Sequence, residues 1–427
     1  MSTTATRRKS ASPAKRAPKR PAVPAVRVRM YDVGFGDAFV VILPNADRDR
    51  LVLIDCGTLA GGGKSIGDVA QNIVADCSVG EGARIDVVIA THRHRDHISG
   101  FGSNIWRNVE VGEVWMPWTE DPKDKSAKDI RDRQVRLADS LEQSARLRLG
   151  DVNIESDRFG AVVLNAKLDD RAMETLHRGF KGGPLRRFLP VRDESRRTFT
   201  TDILPEVTIH ALGPSRDEDV IRDMNPPKGE SYLRMASRDS SAGTTSDPFG
   251  PEWWVAPEEF QTRTEWSHLN LSDAERQTLS KVGVDTDPAL AVALDKAVNG
   301  TSLVLVLEFR GVRLLFSGDA QWGTWNAILN DAEWRDLLER VSFWKVGHHG
   351  SHNGTPKEFV ERFLHKDTWT MVSTHAIARW PSIPRLPLMD AIAAKTSRVA
   401  RSDMPAAAKK PFVVRKEHYI EAVIPCV

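Results

Sequence analysis

Cysteine is scarce in this chain: three in 427 residues, Cys56, Cys77 and Cys426, with no CxxC pair. Three cysteines exclude a disulfide framework, and a reducing cytoplasm is the expected compartment. No apolar run approaches the ~20 residues of a membrane helix, so no membrane contact is expected. Gly61-Gly62-Gly63-Lys64-Ser65 looks like a phosphate loop, but Thr58 stands where that pattern requires its first glycine. A nucleotide-binding loop is thereby excluded. Acidic residues are missing from the first 28 positions, which hold Arg7, Arg8, Lys9, Lys15, Arg16, Lys19, Arg20 and Arg27. Such a segment buries too little apolar surface to fold, and it lacks the apolar stretch of a secretory signal. Residues 1–25 therefore read as a disordered basic tail, attractive to polyanions such as nucleic acid. The formal net charge is +2, so removing those eight cations leaves about −6 for the remainder. Nucleic-acid binding by the folded part needs a local patch, not net charge.

What the chain does have is Thr91-His92-Arg93-His94-Arg95-Asp96-His97, directly after the apolar run Ile85-Asp86-Val87-Val88-Ile89-Ala90. Imidazole and carboxylate are good ligands for zinc and similar divalent ions. His92 and His94 can converge on one ion, while Asp96 and His97 face a neighbouring position. Two ions sharing one loop is the arrangement of two-metal hydrolysis.

Other strand ends carry similar residues. Leu51 to Ile54 leads to Asp55, Val312 to Phe316 leads to Ser317-Gly318-Asp319, and Phe343 to Val346 leads to Gly347-His348-His349-Gly350-Ser351. In order and rough spacing these pieces resemble the HxHxDH and companion motifs of the metallo-β-lactamase superfamily. They are closest to the hydrolase domain of ComEC-type DNA-uptake proteins and its soluble relatives. There a paired strand such as Thr301–Phe309 precedes the bridging aspartate and HHGS follows it. The opening turn Gly34-Phe35-Gly36-Asp37-Ala38 fits the same pattern. The resemblance spans about 26–380, with about 120–295 unmatched.

It implies an α/β fold: an αββα sandwich over 26–427, with a long insertion at about 215–300. It implies two divalent ions, zinc first and manganese as the alternative. Their ligands would be His92, His94, Asp96, His97, Asp319 and His348. Adjacent residues at a strand end point in opposite directions. With His348 as ligand, His349 becomes a catalytic residue beside it. Asp96 would also orient the attacking hydroxide and take up a proton. Asp55 would buttress the metal loop. Many superfamily members carry a further histidine after a middle strand. The candidate here is His210 in Val207–Leu212, with His375 as a substitute. Arg93 and Arg95 flank the ligands and Lys345 lies near the late pair, which suits an anionic substrate.

A water between two divalent ions has its pKa lowered toward ~7, so hydroxide is available at neutral pH. The expected function is a metal-dependent hydrolase, foremost a phosphodiesterase or nuclease that meets nucleic acid through the basic tail. A hydrolase of a small ester, lactone, thioester or amide is the alternative, with Trp253, Trp254 and Trp266 of the insertion as its apolar pocket. A non-enzymatic component of a larger assembly is a third reading. Protein partners are not indicated.

Overall fold

Val26, Val28 and Met30 turn inward from β1 (Ala25–Tyr31) while the charged residues between them stay half-buried, as the alternating sequence dictates. The structure, a computed structural model, describes residues 24–427 except 80–81, 151–153, 155, 168, 193–196, 228, 233–286 and 379. The basic tail lies outside the described residues, apart from its last two positions. So do Trp253, Trp254, Trp266 and the Ser/Gly/Thr-rich tract of the insertion.

The first sheet continues with β2 (Ala38–Leu43), β3 (Arg50–Cys56), β4 (Ser78–Val79), β5 (Gly82–Ile89), β6 (Glu110–Pro117) and β7 (Leu185–Leu189). The second holds β8 (Thr198–Thr201), β9 (Leu204–Gly213), β10 (Val304–Phe309), β11 (Val312–Phe316), β12 (Phe343–Lys345), β13 (Trp369–Val372) and β14 (Val399–Arg401). The last strands, β15 (Val413–Arg415) and β16 (Tyr419–Pro425), return to the first sheet, where β16 pairs antiparallel with β1. The two halves of the sequence therefore do not each form one sheet. The order is β15-β16-β1-β2-β3-β5-β6-β7 in one sheet, with β4 paired to β5, and β14-β13-β12-β11-β10-β9-β8 in the other.

Both sheets are mixed. Each changes from antiparallel to parallel pairing partway across, at β3/β5 in the first and β11/β12 in the second. The Arg310-Gly311 hairpin has positive φ at both residues, 46° and 78°, the backbone of a tight two-residue turn between twisted strands.

The sheets pack face to face. Phe39, Val41, Ile54, Val87 and Ile89 of the first meet Ile209, Leu305, Leu307, Leu314 and Phe316 of the second. Each such burial contributes about 1.5–3 kcal/mol. The outer face of the first sheet is covered by Val69, Ala70 and Ile73 of the helix Ile66–Asp76. Trp325, Ile328, Leu338 and Ile392, from helices of the second half, cover the other. Three more helices, Lys125–Leu149, Arg158–Ala166 and Asp287–Asn299, pack on one another through Leu141, Val163, Ala291 and Leu294, and reach Phe35 and Trp380. The last of these belongs to the expected insertion, so that segment is helical at its end. The polar stretch 190–204 contains β8. No described helix is long and apolar enough to cross a membrane.

Candidate metal centre

Asp55 lies at the carboxyl end of β3, and the His92–His97 segment, Asp319 and the His348-His349 pair follow the carboxyl ends of β5, β11 and β12, the strands that flank the two pairing changes. Beyond β5 the chain stays extended through His94 (φ −61°, ψ 145°), then turns into the short helix Arg95–Ile98. Extended backbone sets His92 and His94 on one side. The helical turn sends Asp96 and His97 to another. Close packing fixes this loop: a Cβ on Gly57 would lie 2.5 Å from the Arg95 carbonyl oxygen, and one on Gly36 would lie 2.7 Å from that of Asp96. Glycine is required at both positions.

Asp55 organises the loop. Its Oδ1 accepts from the Thr91 backbone N–H at 2.7 Å, and its Oδ2 accepts from the Thr91 hydroxyl at 2.7 Å. Its Oδ2 also lies 2.8 Å from His97 Nδ1. That contact aims His97 Nε2 at Asp319 Oδ2, 3.2 Å away. His349 is held likewise: Nδ1 donates to the Ser373 carbonyl at 2.9 Å, and Nε2 faces Asp96 Oδ2 at 2.9 Å. Candidate ligand atoms of Asp96, His97, Asp319 and His349 all lie within 4.8 Å of one another, as do those of His92, His94 and Asp96. Residues separated by more than 250 positions thus meet in one buried cluster.

The donor chemistry fits divalent ions. With Nδ1 of His97 and His349 acting as donors, each Nε2 presents a lone pair to a carboxylate oxygen. Only a proton or a metal cation relieves that opposition. His94 Nε2 and Asp96 Oδ1 are buried without any hydrogen-bond partner, a costly state unless an ion engages them.

The charges point the same way. Burial opposes a charged His97, yet Asp319, Asp96, Asp55 and Asp37 push its pKa well above the ordinary imidazole value. Burial likewise opposes charge on His349, and the Asp96 hydrogen bond overrides it and raises the pKa. Burial lowers His94 to about 3 and His92 well below its usual value. Asp319 is held far below the carboxylate range despite its burial, by His97 and Lys345. Without metal, protons on His97 and His349 supply the positive charge that ions would otherwise bring.

The late pair departs from the sequence expectation. The structure places His349, not His348, in the cluster. His348 Nδ1 is engaged by Ser351 Oγ at 2.9 Å and Asn353 Oδ1 at 3.1 Å, while its backbone N–H donates to Asp319 Oδ1 at 3.0 Å. Strand alternation does not govern here. Both residues are left-handed, with φ of 49° and 52°, as is Gly350 at 82°. Left-handed backbone costs a non-glycine residue about 1–2 kcal/mol. His348 is half-buried and His349 fully buried, so the edge nearer solvent belongs to His348.

His210 does not join the cluster. It sits on β9 with Nδ1 3.1 Å from Thr198 Oγ1 and Nε2 3.5 Å from Glu308. On that strand Ile209 and Ala211 take the inter-sheet face, so period-two alternation turns His210 the other way. His375 is in none of the clusters either. Arg93 is buried and turned to Gln134 and Glu120 of neighbouring elements. Arg95 is half-buried.

Lys345 is turned into the protein. It is buried, pairs with Asp37, and approaches Asp319 Oδ1 at 3.4 Å. Removing one partner from a buried ion pair typically costs about 3–5 kcal/mol. Lys345→Met is therefore expected to lower the unfolding free energy of metal-free protein by about that amount, read from urea melts.

Two residues beyond the sequence-derived set belong here. Asp37 groups with Asp55 and His97. The signal for it was the glycine-rich opening turn. Asp295, on the helix Asp287–Asn299, places Oδ1 3.6 Å from His94 Nε2. Burial, then Asp96 and Asp319, push its carboxyl up to about 8. Nothing in the local sequence Leu294-Asp295-Lys296 marks it. No protein-family model and no curated protein matches the chain.

Proposed function

We propose that this protein is a metal-dependent hydrolase with a metallo-β-lactamase-type αββα sandwich, acting on phosphodiester bonds, with nucleic acid as the substrate class. One observation carries this reading: Asp96, His97, Asp319 and His349 converge from three strand ends on one buried point. The two mixed sheets with helices on their outer faces support the same assignment.

Two divalent ions fit, zinc foremost and manganese as the alternative, held by His92, His94, Asp96, His97, Asp319 and His349. When bound, such ions polarise the scissile group and lower the pKa of water. The side chains do the rest. Asp55 fixes the tautomer and aim of His97, a contact of the kind that tunes ligand basicity. Ser373 does the same for His349. Asp96, whose Oδ1 has no hydrogen-bond partner, is placed to orient a nucleophile and to take up its proton. The Phe35 ring packs at a tilt against His349 and Trp380, with ring centroids 4.4 Å and 5.1 Å apart, which keeps water off that flank.

An anionic substrate is supported by the basic N-terminal segment of the sequence. The small-ester alternative rests on tryptophans outside the described residues, and no described residue favours it.

The test is a substrate panel: single- and double-stranded polynucleotides, a chromogenic phosphodiester, and a chromogenic carboxylic ester, each with and without chelator. Chelator-sensitive cleavage of the phosphodiesters is expected. Ester hydrolysis with intact polynucleotides and phosphodiester would overturn the assignment. Deleting residues 1–24 should weaken polynucleotide binding at low salt and flatten its salt dependence. Unchanged affinity would show that the tail plays no part.

A further inference from the structure

Asn165 is the one polar side chain in the run Phe159–Ala166, and every residue of that run is buried. A buried amide among apolar neighbours is costly unless it is hydrogen-bonded. Its Oδ1 accepts from the Asp96 backbone N–H at 3.2 Å. That N–H lies in the first turn of the helix Arg95–Ile98, where backbone donors find no partner within the helix. His94, at the head of that helix, makes no capping bond with its side chain. Asn165 therefore supplies the cap from a separate helix. The Asp96 carbonyl accepts from the Asp37 backbone N–H at 2.9 Å, so the Asp96 backbone is held at both ends.

A second amide acts just before His94. Arg93 stands between His92 and His94 in extended backbone, so its side chain leaves on the face opposite theirs. It is buried, and its guanidinium donates to Gln134 Oε1 on the helix Lys125–Leu149. Glu120 Oε1 lies 4.0 Å from the same guanidinium. His94 is thus bracketed by two residues that other helices hold. The atoms placed in this way are those that one cation would share. His92 Nε2 and His94 Nδ1 are 3.1 Å apart, and the two histidines group with Asp96. The helices that carry Gln134 and Asn165 pack together through Leu141 and Val163. Both lie in the stretch of about 120–295 that the superfamily resemblance leaves unmatched.

We propose that Asn165, with Gln134 beside it, is a positioning residue for the metal loop, and that these two helices set the spacing of His92, His94 and Asp96. This rests on the metal-centre reading above and extends it to the unmatched segment. Neither amide is asked to touch a cation or substrate. Each acts on the chain that carries the ligands, as outer contacts around metal sites do. Losing one leaves every donor in place but frees the loop.

The experiment compares wild type, Asn165→Leu, Asn165→Asp, Gln134→Leu and Val163→Ala as full chains. Each is dialysed against Zn²⁺ alone and Mn²⁺ alone, with bound metal counted by elemental analysis. At saturating metal, kcat and KM are measured on a chromogenic phosphodiester. Val163→Ala loosens the same helices without reaching the loop, so it should lower stability and leave metal affinity and kcat unchanged. Asn165→Leu should bind one ion about 10- to 100-fold more weakly and lose about 10- to 100-fold in kcat at unchanged KM. Asn165→Asp keeps an accepting oxygen and should recover most of both. Gln134→Leu should show a smaller loss in the same direction, and it decides the matter should Asn165→Leu fail to fold. Wild-type metal affinity and kcat in these two leucine variants would overturn the proposal. So would losses no greater than those of Val163→Ala, or an Asn165→Asp no better than Asn165→Leu. A wild-type chain that retains no ion would remove the metal-centre reading and this proposal with it. A wild-type chain that holds metal but leaves the phosphodiester intact would remove only the substrate assignment, and the metal counts would still decide the role of Asn165.

Discussion

Asp319→Asn should lower phosphodiester cleavage by about 10³-fold, a loss of about 4 kcal/mol of transition-state stabilisation. The Asp319 carboxylate meets groups from three different elements of the centre. Its Oδ2 lies 3.2 Å from His97 Nε2, and its Oδ1 accepts from the His348 backbone at 3.0 Å and approaches Lys345 at 3.4 Å. A carboxylate has two oxygens and can join two cations. A neutral amide offers one weak oxygen and a nitrogen donor that repels a cation. Metal content should fall together with rate. Circular dichroism should be unchanged, because the amide keeps the shape and Lys345 retains Asp37 as partner. A variant that keeps both its ions and at least a tenth of wild-type activity would show that Asp319 is not a shared ligand.

Asp96→Ala should cost about 10²- to 10⁴-fold in rate, the span of a positioned acid–base group. Its Oδ2 contacts His349 while Oδ1 has no hydrogen-bond partner, so one oxygen is left for an ion or a nucleophile. The loss should differ in kind from that of Asp319→Asn. Added metal should restore part of the occupancy of Asp96→Ala, because His97, Asp319 and His349 remain, but it should not restore the rate. Titration of activity against metal concentration separates the two effects. Full recovery at high metal would assign Asp96 to metal binding alone.

Much of the fold was legible in the sequence because its strands are short apolar runs bounded by glycine, proline or charge. Val26–Tyr31 alternates, Val87–Ile89 is apolar on both faces, and Arg310-Gly311 marks its own hairpin. The return of β16 to β1 was not legible, since pairing across nearly the whole chain leaves no local pattern. For the site, the His92–His97 segment and Asp319 could be located because ligand-type residues crowd the ends of apolar strands. The order of His348 and His349 could not, because it depends on two left-handed residues in succession rather than on strand alternation. His210 misled because a histidine on a strand looks the same whether it faces a metal or the outer side of a sheet. Asp295 was hidden for a different reason. It sits on an ordinary amphipathic helix, and only tertiary docking brings it to His94.

The most direct measurement is anomalous diffraction from crystals of the wild-type protein grown with manganese or zinc. Peaks are expected at two neighbouring positions, one among Asp96, His97, Asp319 and His349 and the other beside His92 and His94. A metal-soaked crystal with no peak among these residues, or with ions only on the protein surface, would contradict the assignment of this cluster as a hydrolytic metal centre.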